Sequence, residues 1–349
     1  MFATNALASK TKAMYGKRLK ANDYEALLKM NHVSEVAGYL KQQSEYQSGL
    51  QDVRESSIHR GQLEALIRQS SFLRLQKLLR YVDLRKEPFY RFVIMEEEVN
   101  QLLSCIRSLK AKEYQHFIND LPLFLNEYTS FDLSQLIQIK KEEDLWEIVK
   151  KTQYASEMKR FLCSNENFSY PECENAMKRY VYETTREMAL HCHSRQKKEL
   201  IAMLDRQIEL KNISCIYRMK EFFHADSKTI KKQLITTHSR WNQTMMERLL
   251  DAKDGKEVLA LLAQSSYRQC VGEKDFVYIE YGCSQIQYYL GKRFLYFSNQ
   301  AALVFLSYYL LNQIEVENII TIIEGVRYQI SSNKIAKLLI YERRQNDGD

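Results

Sequence analysis

The stretch NDYEALLKMNHVSEVAGYLKQQSEYQSGL, Asn22 to Leu50, decides the fold because its spacing recurs twice further along the chain. It holds an apolar pair at Leu27 and Leu28, an acid with an apolar neighbour at Glu35 and Val36, a further apolar residue at Leu40, and then Tyr46. The same order returns as Leu136 with Ile137, Asp144 with Leu145, Val149 and Tyr154, and again as Leu249 with Leu250, Glu257 with Val258, Leu262 and Tyr267. A period of about 110 residues is the signature of a repeated supersecondary unit.

Each copy opens on the spacing of a capping box, in which a short polar side chain satisfies a free helix-start N–H and an acid or amide three residues on reaches back. The pairs are Asn22 with Glu25, Asp132 with Gln135 and Thr244 with Glu247. Glu35, Asp144 and Glu257 are predicted at the start of the next helix, where the macrodipole favours negative charge. They are read as helix-start groups, not as catalytic acids.

Further on, E-x-x-N recurs as Glu97 with Asn100, Glu209 with Asn212 and Glu315 with Asn318, each opening a long helix. Ser-Cys-Ile recurs at Ser104 to Ile106 and Ser214 to Ile216, followed by Arg107 and Arg218, while the third copy departs with Glu324 and Gly325. The two alignments disagree by two residues, which leaves the register open. Between these elements a third helix is predicted in each copy: Leu63 to Arg80, Glu172 to His191 and Asp275 to Gly291, with apolar residues on one 3.6-residue stripe. The copies divide the chain into 1–120, 121–235 and 236–349.

Only 10 glycines and 3 prolines stand among 349 residues, too few to turn many short strands, so the fold is expected to be all-α. The least helical stretches are Tyr46 to Asp52, Asp120 to Phe131, Ser164 to Pro171 and Gln269 to Asp275, with a polar tail after Tyr341. Phe294 to Ile314 carries no charge, and about 20 apolar residues can span a bilayer. Ser298, Asn299, Gln300, Ser307, Asn312 and Gln313 interrupt it, and Ala301 to Leu311 reads instead as a buried helix.

The net charge is +7 with both signs interleaved, unlike the single basic stripe of a nucleic-acid binder. The densest basic clusters, Arg195 with Lys197 and Lys198 and Lys228 with Lys231 and Lys232, read as solvated faces. Seven cysteines without a CxxC pair make neither a disulfide framework nor a zinc site, and fit a reducing compartment. Lys10, Lys12 and Lys17 stand where a secretion signal would be apolar, so none is expected.

No phosphate-cradling glycine loop, nucleophile elbow or paired metalloprotease histidines occur, so no reaction class has its full set of parts. His191, Cys192 and His193 are the most metal-like cluster, but positions i and i+2 of a helix diverge by about 200°. No catalytic, cofactor-binding or metal-ligating residue is assigned. Most of the 23 tyrosines, including the pairs Tyr288 with Tyr289 and Tyr308 with Tyr309, are expected at the edge of the core, and a fraction in a docking surface.

The D-Y-E-x-L-L opening of Asn22 to Leu50, with its acid-apolar pair and Y-L, resembles the first repeat of the C/d family of central-stalk subunits in V-type and A-type ATPases. SYYLLNQIEVENIITIIEG, Ser307 to Gly325, is similar to that family's last long helix, and the likeness covers nearly the whole chain in order and spacing. The resemblance implies three helical domains in a pseudo-threefold funnel whose socket receives the foot of the central shaft. It further implies a rotor part that rests on the membrane ring, peripheral to the membrane at its cytoplasmic face, and transmits torque between ATP chemistry and ion transport. Such a part has no active site, cofactor, nucleic-acid partner, small-molecule ligand or membrane span of its own. The periodicity also permits a helical scaffold for soluble partners, and a third reading, a helical metal enzyme, would require His191 and His193 to converge with a further ligand.

Overall fold

The computed structural model describes residues 2–43, 45–111, 117–118, 121–163, 169–192, 197–235, 243–271 and 278–342, and every regular element among them is helical. Contacts group the chain into two units, 1–83 with 256–349, and 84–255. The first unit begins with α1 (Phe2–Tyr15), α2 (Ala21–Leu27), α3 (Val33–Gln42), α4 (Gln47–Leu50) and α5 (Arg60–Leu79). The second holds α6 (Phe92–Ala111), α7 (Glu142–Val149), α8 (Ala155–Leu162), α9 (Tyr170–Leu190), α10 (Lys197–Glu221), α11 (Ser227–Gln233) and α12 (Gln243–Asp251). After α13 (Gly255–Ala263), the chain completes the first unit with α14 (Ile279–Phe297), α15 (Ala301–Arg327) and α16 (Ser332–Leu338).

In the first unit α15 is the central helix, with α1, α5 and α14 packed along it. Ala301 through Tyr309 are all buried, because a helix that is apolar on every side must be covered on every side. The uncharged run from Phe294 is broken where Ser298 turns extended, at φ −88° and ψ 148°, so it forms the end of one helix and the start of another. Among the described residues no helix is long and apolar enough to cross a membrane. In the second unit α9 packs against α6, α8 and α10.

The repeated apolar positions are core. Val36, Leu145 and Val258 are buried, as are Leu40, Val149 and Leu262 and the tyrosines at 46, 154 and 267. The apolar pairs are less uniform: Leu27 and Leu136 are fully buried, whereas Leu28 is partly covered and Ile137 is exposed. Only in the third copy are both members, Leu249 and Leu250, buried.

Helix starts follow the predicted chemistry in part. Glu35 accepts the N–H groups of Asn31 (2.8 Å) and His32 (3.4 Å), and Asp144 accepts those of Lys140 and Lys141, both at 3.0 Å. Asp132 caps the 3₁₀ turn Leu133–Gln138 by accepting from the Ser134 N–H at 2.8 Å. The expected boxes at Asn22 and Thr244 are not the helix starts: α2 is opened by Asp23 accepting the Lys20 N–H at 2.7 Å, and Thr244 lies inside α12. Asp23 wins because it sits three residues after the extended Lys20.

The third helices form as α5, α9 and α14, the last starting at Ile279 and running on to Phe297; Asp275 lies outside the described residues. The loop predicted over Tyr46 to Asp52 contains the single helical turn α4, and that over Asp120 to Phe131 the 3₁₀ turn Leu123–Leu125. Residues 164–168, 272–277 and 343–349, within the other predicted loops and the tail, lie outside the description.

Helix α15 ends on a left-handed cap. Gln329 takes φ 53° and donates its N–H to the Val326 carbonyl, while Ile330 donates to the Gly325 carbonyl at 2.8 Å. Gly325 also explains the departure of the third copy: a Cβ there would lie 2.4 Å from Ile335 Cδ1, so its absence lets α16 pack closely. The neighbouring Glu324 accepts from Arg60 Nη2 at 2.7 Å.

Candidate functional site

The most connected polar group of the first unit is buried around Glu315. Its Oε1 accepts the Tyr46 hydroxyl at 2.5 Å and Arg74 Nη1 at 3.1 Å, and its Oε2 accepts the Leu19 N–H at 3.0 Å. Arg74 closes the triangle by donating through Nη2 to the Tyr46 hydroxyl at 3.1 Å, with its guanidinium 4.7 Å from that ring. Four segments distant in sequence, before α2, before α4, on α5 and on α15, are thereby tied at one carboxylate.

Burial and the adjacent Glu315 push the Tyr46 phenol well above its ordinary range, so it stays protonated and donates. Burial alone would pull the Arg74 guanidinium down; Tyr46 and Glu315 more than reverse that, and it stays charged. Both donors, Tyr46 and Arg74, thus keep their protons near neutral pH.

The second unit repeats this tie. Glu98 on α6 accepts the Tyr154 hydroxyl and the Ser130 N–H. Tyr154 holds the place in the second copy that Tyr46 holds in the first, and Ser130, like Leu19, lies a few residues before its apolar pair, so in both units the tyrosine after a short-helix pair and the backbone before that pair close on one acid of a long helix. The Tyr154 phenol is likewise pushed up, by burial and then by Glu98. The asparagines of E-x-x-N have their own repeated role. Asn212 donates to the Ile235 carbonyl at 2.8 Å and accepts its N–H at 3.1 Å; Asn318 makes the same two bonds with Ile340, at 2.8 and 2.9 Å.

These contacts correct the register of the first copy. The buried acid is Glu98, whereas Glu97 is only partly covered and Asn100 is exposed. With Glu98 as reference the Ser-Cys-Ile offset differs between copies by one residue instead of two. The clue in the sequence was the spacing from Met95 and Leu102, three residues before and four after, which places Glu98 on the core-facing stripe. Arg107 and Arg218 are exposed, with Arg107 reaching Ser104 Oγ at 3.3 Å.

A cavity of about 250 Å³ adjoins the Glu315 group, lined in part by Tyr15, Arg18, Tyr24, Tyr288 and Tyr308. Its two carboxylates are engaged, Glu315 as above and Glu342 with Lys292 at 2.8 Å. Burial pushes the Tyr288 phenol up to about 12. The paired tyrosines divide as expected at a core edge: Tyr288, Tyr308 and Tyr309 are buried, and Tyr289 is exposed.

His191 is the C-terminal cap residue of α9 and Cys192 is half-buried, while His193 lies outside the described residues. Among the described residues no group of three or more His, Cys, Asp or Glu side chains is placed to hold a metal ion. Lys228, Lys231 and Lys232 are exposed on α11, as a solvated face requires; Arg195 lies outside the description.

None of the curated proteins matches the chain. The family model described as ATP synthase (C/AC39) subunit matches residues 7–338. That match takes in both buried Tyr–Glu ties and both asparagines that clamp a following segment, and the chain therefore belongs to the ATP synthase (C/AC39) subunit family.

Proposed function

We propose that this chain is the non-catalytic central-stalk subunit of a V-type or A-type rotary ATPase, coupling the shaft to the membrane ring and passing torque between ATP chemistry and ion transport. The observation that carries the reading is the family match along residues 7–338. In this reading the three sequence copies form three domains, and the protein is peripheral to the membrane, at its cytoplasmic face.

The ties at Glu315 and Glu98 support it. A torque-bearing part must hold its helices in register, and a dense interior passes strain on instead of absorbing it. A buried carboxylate that closes several segments at once adds direction to that packing, since each hydrogen bond holds at only one geometry. The phenols remain protonated, so the sites are read as structural and not as acid–base pairs.

Two surfaces for other subunits are also required. On α14, Tyr289, Tyr296 and Phe297 stand seven and eight residues apart on one face and are exposed, Phe297 by 86%. Exposed aromatics on one helical stripe have the composition of a protein interface. We assign this face to contact with a neighbouring subunit.

Affinity purification of the tagged chain under mild detergent tests the reading. Recovery of shaft subunits together with the membrane ring is the expected result. Their consistent absence, with soluble partners in their place, would favour the helical scaffold.

A further inference from the structure

In the first unit Cys270 and Cys283 meet in the interior, with Sγ atoms 3.7 Å apart and residue exposures of 0% and 6%. Cys270 ends the 3₁₀ turn Arg268–Cys270, and Cys283 lies in the second turn of α14. The two backbones are pressed together beside them: a Cβ on Gly282 would lie 2.5 Å from the Cys270 carbonyl oxygen and 2.7 Å from its Cα. Only glycine fits there. That approach brings the backbone of one cysteine to within a residue of the other, and a disulfide needs such proximity between Cα atoms.

We propose that Cys270 and Cys283 are an oxidisable pair that hydrogen peroxide converts into an intramolecular disulfide, stapling the 268–270 turn to α14. One thiolate attacks a peroxide oxygen: the S–O bond forms, the O–O bond breaks, and the departing hydroxide takes up that thiol's proton as water. The second thiolate then attacks the sulfenic sulfur: the S–S bond forms, the S–O bond breaks, and the hydroxide leaves as a second water with the second proton. Two thiols lose two electrons and two protons, and one peroxide is reduced to two waters.

The choice of oxidant follows from the burial. Peroxide is little larger than water, whereas a glutathione-sized disulfide could not reach sulfurs this covered. The turn carries Tyr267 immediately before it, the third-copy counterpart of Tyr46 and Tyr154. The bond would therefore fix covalently the end of the third short-helix pair. This goes beyond the rotary reading and does not depend on it.

The test uses the full chain, exposed to hydrogen peroxide, unfolded in alkylating reagent and mapped as peptides without reduction. Cys163, which is exposed, reports that oxidant was effective. The expected result is a linked pair of peptides containing Cys270 and Cys283, two hydrogens lighter than their sum, reversed by dithiothreitol and absent from Cys283→Ser. The wild-type map is decisive even if that variant fails to fold. Recovery of both cysteines singly alkylated, or each as a separate sulfinic acid, at peroxide levels that convert Cys163 would overturn the proposal.

Discussion

At the residue scale the molecule relies on a few buried polar ties of high consequence. Tyr46→Phe keeps the ring and removes the O–H that Glu315 accepts, so a buried carboxylate loses a partner. It should destabilise the first unit by about 1 to 3 kcal/mol in chemical denaturation. Tyr154→Phe should do the same to the second unit through Glu98. Unchanged midpoints in both variants would show that the ties are incidental. Glu315→Ala is expected to cost more, about 3 to 5 kcal/mol, because it takes from the buried Arg74 its nearer carboxylate and leaves only Glu45 at 4.0 Å.

Exposed helix-start acids act through pH instead. Backbone N–H groups hold Glu35, Asp144 and Asp226 below the ordinary carboxylate range. Unfolding frees those N–H groups and restores the ordinary values, so the unfolded chain binds more protons. Their contribution is complete above the usual carboxylate range of about pH 4 and is lost as pH falls through the lower folded values. A variant carrying Glu35→Gln and Asp144→Asn should therefore lose less stability between neutral pH and pH 3 than the parent. Parallel stability–pH curves would contradict this.

At the scale of elements, Leu27 and Leu28 are a controlled comparison, adjacent and chemically identical. Leu27 is fully enclosed between short helices and α15, while Leu28 is partly covered. Leu27→Ala should cost about 2 to 5 kcal/mol and Leu28→Ala clearly less; equal losses would contradict the packing described. The end of α15 offers a gain. Gln329 occupies a left-handed conformation that glycine adopts without strain, so Gln329→Gly should add about 0.5 to 1 kcal/mol, read as a higher melting temperature.

Legibility in the sequence divides along the same line. Val36, Leu40 and their counterparts could be read because a helix repeats its buried face at short, fixed intervals. The Glu315 tie could not, since Leu19, Tyr46 and Arg74 lie hundreds of residues from it in the chain and no local period connects them. E-x-x-N pointed to the correct acids in the later copies, and missed by one residue at Glu98 because three consecutive glutamates, 96 to 98, hide the buried one. Helix starts at Asn22 and Thr244 were misjudged for a similar reason: several polar residues there satisfy the same capping pattern, and composition does not mark which preceding residue turns extended, as Lys20 does before α2.

At the scale of the whole molecule, two of the long helices serve sequence copies besides their own. Within the first unit α15, from the third copy, receives the short helices of the first copy; within the second unit α6, from the first copy, receives the tyrosine of the second. Each copy thus depends on another for its core, and weakening one buried position should loosen elements drawn from two copies. Such interdependence is what the proposed coupling role would need.

The most direct test is the number of ions transported per ATP hydrolysed, measured in assembled membrane complexes carrying the parent chain or Leu27→Ala. With complex content matched, the proposed coupling role requires the ratio to fall in the variant while ATP hydrolysis persists, since a softened link between shaft and ring would slip. An unchanged ratio in complexes shown to contain the destabilised chain would contradict the claim that its rigidity carries the torque.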